Sequence, residues 1–276
     1  MITSRSTPDA ARSAWPPGLL SGTPGNLLGV LVASLACCAA LVDASWLPSS
    51  ALRVVTVAVA HGGLVAIAFG WASTTPPQWR PLVPSAIFIL ILALAAAGAC
   101  WDPRAAIFYL ASPLWLAVLV VNGRLAPLGL RGQMPISGTL LGLATGLALG
   151  GHLLLAAAGT FGYRVRTDVQ VLVAIAYDVG ANVPSSELFF RGALFNRLQR
   201  RWSFAAAVTT ATAGGLLRYL VDPLLPKAPE VIVGMLLYLT LLGVINAWLL
   251  WWSGSLVPGL VSALVFFAAY RMVAAV

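Results

Sequence analysis

Apolar runs of similar length follow one another along most of this chain. Short segments rich in Pro, Gly, Asp, Asn and Arg separate them. The runs lie near 26–47, 51–72, 84–101, 105–121, 137–159, 169–196, 204–220, 230–252 and 254–275. Because a helix crosses the hydrocarbon core of a bilayer in about 20 residues, this pattern predicts an all-α, polytopic membrane bundle of about 8–9 transmembrane helices.

The first residues do not follow this pattern. Residues 1–24 are polar and rich in Pro, Gly and Ser, which predicts a disordered N-terminal tail. The segment is too polar to be the apolar part of a signal peptide, so we expect the first apolar run to remain as a membrane span. We divide the rest into N-terminal transmembrane helices over 25–168 and a transmembrane core over 169–276.

Composition supports a membrane protein and excludes a nucleic-acid-binding one. Of the 276 residues, 60% are hydrophobic and 9% are charged, whereas soluble domains carry about 25% charged residues. The net charge of +8 is spread along the chain rather than clustered on one face. We therefore expect a multi-pass protein of the cell membrane, specifically a bacterial cytoplasmic membrane, surrounded by the lipid bilayer and without a nucleic-acid partner.

One dense basic cluster suggests an orientation. Arg197, Arg200 and Arg201 follow the sixth apolar run. Basic residues at the ends of spans favour the cytoplasmic side, so we expect this end of the run to be cytoplasmic.

The fifth run carries four regularly spaced glycines. Gly138, Gly142, Gly146 and Gly150 each follow the last by four residues and share one helical face. Small residues let membrane helices approach closely. We therefore expect this ridge to lie where the first half of the chain packs against the second.

The sixth run carries opposite charges at membrane depth. Glu187 and Arg191 are four residues apart in otherwise apolar sequence. A charged side chain in a bilayer costs a few kcal/mol and normally has a partner inside the protein. Residues at this spacing stack one turn apart on a helix, so we expect them to pair and to have a structural role.

A polar stripe precedes this pair. Asp178, Asn182 and Ser186 recur every four residues, up to a bend expected at Pro184. Such a stripe can form the wall of a polar cavity or ion path. It can also form a seam of hydrogen bonds to neighbouring helices, which is the more common arrangement.

The same stretch resembles a known family. The CPBP family contains CAAX prenyl proteases and bacteriocin-processing membrane proteins, and its first motif is Glu-Glu-x-x-x-Arg. This chain has Ser186-Glu187-Leu188-Phe189-Phe190-Arg191, preceded by Pro184 and followed by Gly192. The run Gly254-Ser255-Leu256-Val257-Pro258 is similar to the family's entry to its last core helix. The resemblance covers about residues 170–270.

The resemblance also implies what this chain lacks. In active members, a glutamate and two histidines are thought to bind a metal that activates water, and an asparagine or aspartate polarises the substrate. Those positions hold Ser186, Arg218, Ser262 and Phe266 here. The resemblance thus implies a degenerate member without metal ligands, cofactor or catalytic residues. Arg218 is hostile to a cation, and we expect it to pair with Glu187 or Asp178.

Other residues do not rebuild a catalytic site in the sequence. His61 and His152 are the two histidines, and neither has a second histidine or an acid at ligand spacing. We expect each to bond to a neighbouring helix. A serine-protease mechanism at Ser186 or Ser262 needs a base within hydrogen-bond reach, and no histidine is near them in sequence.

These observations leave three hypotheses for function. The first is a catalytically inactive pseudoprotease that acts as a binding, scaffold or accessory subunit, with other membrane-protein subunits as partners. The alternative is an active intramembrane CAAX-type metalloendopeptidase, whose ligands the sequence does not supply. The second alternative is a transport or permease subunit, supported by the stripe that begins at Asp178.

Overall fold

The predicted bundle is confirmed, and its helices follow the apolar runs. The computed structural model describes residues 23–72, 80–131, 135–220 and 229–274. Within these ranges, nine helices are joined by short connections. They are α1 (Thr23–Asp43), α2 (Ser49–Ala72), α3 (Leu82–Trp101), α4 (Pro103–Val121, which begins as a 3₁₀ helix), α5 (Ile136–Phe161), α6 (169–198), α7 (Phe204–Leu220), α8 (Pro229–Ser253) and α9 (Val257–Met272).

Five segments are long and apolar enough to cross a bilayer, as judged by length and composition in the described part of the chain. They are Ser49–Ala72, Leu82–Trp101, Pro103–Val121, Ile136–Phe161 and Ile232–Ser253. Helix α9 is a shorter apolar helix. The disordered tail predicted over 1–24 falls outside the described residues except for its last two, which begin α1.

Helix α6 is continuous but changes its hydrogen-bonding pattern along its length. It contains two π-helical segments, Asp178–Asn182 and Glu187–Phe195, on either side of Val183–Ser186. Pro184 lies inside this middle segment and does not end the helix. The irregular part of α6 coincides with its polar residues. Because π segments are rare and frequently occur at functional sites, this part of α6 is a candidate site.

The glycine ridge lies at a helix contact, as predicted. Helices α5 and α9 pack against each other, and the four ridge glycines are buried. A Cβ atom at Gly146 would come within 2.6 Å of the Ser262 carbonyl oxygen and 2.8 Å of the Val265 Cβ atom. A Cβ atom at Gly151 would meet nothing within 4 Å. The ridge therefore fixes α9, and with it Ser262, against the first half of the chain.

A short strand pair at one end of the bundle was not predicted. Arg164–Val165 (β1) pairs antiparallel with Val273–Ala274 (β2). The pair joins the connection between α5 and α6 to the end of α9. Two residues are too few to produce an alternating pattern, so the sequence carries no signal for it.

The two halves of the chain share one packed interior. Phe69 of α2, Phe88 of α3 and Phe195 of α6 belong to the larger apolar cluster. A second cluster lies around Tyr238 and Phe266, on α8 and α9. Helix α2 packs along α6. This packing places His61 of α2 next to the polar residues of α6.

Candidate functional site

A network of neutral hydrogen-bond partners surrounds Arg218 of α7. Its Nη1 atom donates to Asn182 Oδ1 and to Ser186 Oγ, both at 2.9 Å. Its Nη2 atom lies 3.1 Å from His61 Nδ1. Within the described ranges, no carboxylate forms an ion pair with this guanidinium. The network thus holds a cation by means of an amide, a hydroxyl and an imidazole.

His61 brings the N-terminal half into this network. Its ring is buried in α2, with Nδ1 at 2.8 Å from Ser185 Oγ and Nε2 at 2.6 Å from the Tyr177 hydroxyl. Sequence reasoning predicted a bond to a neighbouring helix but did not connect His61 with Arg218, which lies 157 residues away. The one available signal was a polar residue inside an apolar run. His152 also follows the prediction, since its Nδ1 lies 2.6 Å from the Tyr238 hydroxyl.

The polar stripe on α6 forms a seam with two neighbouring helices. Asp178 accepts hydrogen bonds from Arg271 Nε at 2.6 Å and Arg271 Nη2 at 2.9 Å. Asn182 Nδ2 donates to Asp178 Oδ1 at 2.9 Å and to the Tyr219 hydroxyl at 3.0 Å. The stripe therefore ties α6 to α7 and α9. Asn182 also lines a cavity of about 410 Å³, whereas Asp178 and Ser186 are not among the residues that line it.

The pairing predicted for Arg218 is wrong. Asp178 is bound by Arg271 through two hydrogen bonds. Glu187 forms its ion pair with Arg191. Because each carboxylate already has a cation beside it, Arg218 bonds instead to uncharged groups, Asn182 and Ser186 on α6 and His61 on α2.

Glu187 and Arg191 form a second, separate network. Glu187 Oε1 lies 3.7 Å from Arg191 Nη1, and it accepts a hydrogen bond from Asn246 Nδ2 at 3.1 Å. The same Nδ2 atom donates to the Gly259 carbonyl oxygen at 3.1 Å. Glu187 is 3% and Arg191 7% exposed. The pair thus connects α6 with α8 and α9 in the interior.

This second network is incompletely bonded. Three of its buried polar atoms, Glu187 Oε2, Arg191 Nε and Asn246 Oδ1, have no hydrogen-bond partner among the described protein groups. The same is true of two further buried hydroxyls, Thr212 Oγ1 and Ser262 Oγ. Such atoms in a native interior usually mark a place for water or another polar group.

The neighbouring backbone approaches these atoms closely. A Cβ atom at Gly243 would lie 2.6 Å from Arg191 Nη2, and one at Gly259 would lie 3.3 Å from Glu187 Oε2. Glycine at both positions leaves the space that the two charged side chains occupy.

The residues at the family's ligand positions do not fit a metal ion. Ser186 accepts its bond from the Arg218 guanidinium, and that guanidinium also contacts the one imidazole in the network. Ser262 has a hydroxyl, and Phe266 has no donor atom and packs against Tyr238. In the described part of the chain, no three His, Cys, Asp or Glu side chains are placed to share an ion. The structure brings Ser186 and Arg218 together, whereas Ser262 and Phe266 lie on α9 outside their network.

The described residues do not place Ser186 next to a general base, as a serine-protease mechanism would require. Ser186 meets a guanidinium rather than an imidazole. Ser185, its neighbour, does contact His61, but this serine is 0% exposed. Its imidazole partner lies against Arg218, whose positive charge disfavours the imidazolium that a general base must become. We therefore assign the Ser185–His61 contact to helix packing.

Comparison with known proteins adds one finding. The family model described as type II CAAX prenyl endopeptidase Rce1-like matches residues 168–268. No curated protein and no solved structure matches the chain. The matched region begins at α6 and ends within α9, so it contains Glu187, Arg191 and the four substituted positions. The resemblance inferred from the motif is thereby confirmed: residues 168–268 match the family model of the Rce1-like type II CAAX prenyl endopeptidases.

Proposed function

We propose that this protein is a catalytically inactive relative of the CAAX prenyl endopeptidases that acts in the bacterial cytoplasmic membrane as a binding, scaffold or accessory subunit. One observation carries the proposal. The side chain at the family's histidine position is Arg218, and its guanidinium is bonded to Ser186 and to His61.

Electrostatics explains why this arrangement opposes metal catalysis. A hydrolytic metal site needs neutral imidazole or carboxylate ligands and an open coordination position. Two unit positive charges 4 Å apart repel by about 4 kcal/mol at the effective dielectric near a protein surface. A divalent ion next to Arg218 meets at least that repulsion, and the serine at position 186 offers no charge to offset it.

The same chemistry suits recognition inside a membrane. Arg218 holds its charge among neutral partners, with no carboxylate pairing it in the described ranges. In lipid, few groups outside the protein can satisfy a polar side chain, so interhelical hydrogen bonds are a main way to select a partner helix. A partner that places a carboxylate or a backbone carbonyl near Arg218 gains a charge-assisted hydrogen bond.

The proposal is tested by cross-linking and pull-down of the full chain from native membranes. We expect a defined membrane-protein partner that is retained by wild type and by Arg80→Gln, and lost from Arg218→Met. Arg80 is exposed and lies before α3, so its substitution removes an equal charge elsewhere. A partner retained equally by all three chains contradicts a role for the Arg218 network in binding.

Cleavage is measured on the same preparations. Purified protein in liposomes is given a prenylated CAAX peptide, and we expect no product above an empty-liposome control. Cleavage that is lost in Glu187→Gln or Arg218→Met, but kept in Arg80→Gln, contradicts the inactive assignment and favours the active endopeptidase.

A further inference from the structure

We propose that the cavity near the Arg271 end of α9 binds a single-chain amphiphile with an anionic head group. The inference concerns a different place from the substituted motif, and it holds whether or not the protein cleaves peptides. It rests on the shape of the cavity, on its lining and on the balance of charge around it.

The cavity lies at one end of the bundle, where α2, α6 and α8 begin and α3, α7 and α9 end. Its volume is about 410 Å³, near the lower end of the 300–1,000 Å³ typical of small-ligand pockets. Three of the helices that line it, α2, α3 and α4, lie outside the region matched by the family model. The cavity is therefore a joint product of both halves of the chain.

Small side chains create the space and apolar ones surround it. Ala96, Ala99, Ala106 and Ala174 leave room between α3, α4 and α6. Val57, Val173, Met235 and Phe267 add apolar surface. This lining suits a hydrocarbon chain in chemistry, since burial of each methylene group contributes about 0.8 kcal/mol.

The polar part of the lining is positively charged. Arg53 and Arg271 both face the cavity. Arg271 is neutralised by two hydrogen bonds to Asp178. Arg53 is exposed at the beginning of α2, and in the described ranges it forms no ion pair. An anionic head group therefore has a free guanidinium to bind at this point.

A second uncompensated charge lies just beyond the cavity wall. Asn182 lines the cavity and at the same time accepts a hydrogen bond from Arg218. Among the acidic residues described at this end, Asp102 accepts from the Arg104 backbone N–H and Asp168 pairs with Arg166. Asp43, at the end of α1, is exposed and forms no ion pair with Arg53 in the described ranges. Two cations without carboxylates next to an apolar cavity favour an anion over a neutral or cationic ligand.

The aromatic lining contributes further polar contacts. Tyr109, Tyr177, Tyr219 and Tyr270 surround the cavity, and each combines an apolar ring with a hydroxyl. Such side chains suit the boundary between a hydrocarbon chain and its head group. We place the head group at Arg53 and the chain between Ala99, Val173 and Phe267.

The test is native mass spectrometry of the full chain in a neutral detergent, titrated separately with oleate, oleoyl-lysophosphatidylglycerol and monoolein. We expect one oleate to bind per chain and monoolein, which has the same chain without charge, to bind at least about tenfold more weakly. This factor corresponds to loss of one charge-assisted hydrogen bond. Specific binding of lysophosphatidylglycerol identifies a single-chain phospholipid as the source, and binding of oleate alone identifies a free fatty acid.

Variants distinguish this cavity from general detergent binding. Arg53→Gln, at an exposed position that tolerates the change, should weaken oleate binding about tenfold, whereas Arg80→Gln should leave it unchanged. Ala99→Phe should fill the cavity and abolish binding. Equal binding of monoolein and oleate, or equal effects of Arg53→Gln and Arg80→Gln, overturns the proposal.

Discussion

Two buried polar networks flank the same turn of α6, and they differ in how completely their atoms are bonded. Around Arg218, the amide, hydroxyl and imidazole partners form a connected set of hydrogen bonds. In the Glu187 network, three buried polar atoms have no partner among the described groups. Ser186 thus belongs to the connected network, and its neighbour Glu187 belongs to the incompletely bonded one.

The two networks also differ in their relation to the family motif. The first contains Ser186 and Arg218, at positions where the resemblance implies metal ligands, and it includes His61 from outside residues 168–268. The second contains Glu187 and Arg191, the two motif residues that match the family. Ser186 and Arg218 bond to each other and so stabilise the fold locally. The Glu187–Arg191 pair leaves polar atoms available to water or to another group.

The largest expected effect comes from separating the Glu187–Arg191 pair. Glu187→Gln and Arg191→Met should each lower the free energy of unfolding by about 3–5 kcal/mol, because each leaves a buried charge uncompensated. The double variant should recover part of this loss, since it removes both charges. The measurement is a double-mutant cycle by thermal unfolding in detergent. Strictly additive effects would show that the two side chains do not interact.

Disturbing the glycine ridge should have the next largest effect. Gly146→Leu forces α5 away from Ser262 and Val265 of α9, which we expect to cost about 1–3 kcal/mol of stability. Gly151→Leu is the matched control on the same helix, because a Cβ atom there meets nothing within 4 Å. Both variants are compared by thermal unfolding. Equal stability of the two would mean that the ridge is not a tight contact.

Replacing Arg218 should cost less than breaking the Glu187–Arg191 pair. Arg218→Met leaves Asn182 and Ser186 without one hydrogen bond each, but it also removes a cation that has only neutral partners. We expect a loss of about 1–2 kcal/mol, the usual consequence of leaving neutral polar groups unpaired. A larger loss of unfolding free energy for Arg218→Met than for Glu187→Gln would mean that the Arg218 network contributes more to stability than the Glu187–Arg191 pair.

The smallest effect on stability should come from a substitution of Asp168, which precedes α6 and belongs to neither network. Asp168 caps this helix by accepting from the Gln170 and Val171 backbone N–H groups. A hydrogen bond from Arg166 holds the pKa of Asp168 below its ordinary value. The stabilisation is therefore present above the ordinary pKa and is lost as pH falls through the lowered one.

Asp168→Asn keeps the capping geometry and removes the charge. Its unfolding temperature should thus lie slightly below wild type at neutral pH, and the difference should vanish in acid. A difference that grows as pH falls contradicts this account of Asp168.

Much of the architecture was predictable from the sequence, since apolar runs of membrane length and a four-residue glycine spacing are local patterns. The structure agrees with both. The Glu187–Arg191 pair was predictable for the same reason. The contact between His61 and Arg218 was not, because it depends on how α2 packs on α6 and no local spacing records it.

Two further features were beyond sequence reasoning for different physical reasons. The partners of Arg218 depend on which cation pairs with Asp178 in the folded chain. That cation is Arg271 of α9, which lies 93 residues after Asp178. The π-helical segments of α6 have no established sequence signature, and Pro184 lies between them inside a continuous helix.

The most direct test of the central claim is metal binding by the intact protein. Purified wild-type chain is dialysed against zinc, washed, and analysed for zinc and protein together, with Arg218→Met as a comparison. Because Arg218 is bonded to Ser186 and to His61, the account predicts no stoichiometric zinc in wild type. One tightly bound zinc ion per wild-type chain, lost on His61→Ala or Glu187→Gln, would contradict it.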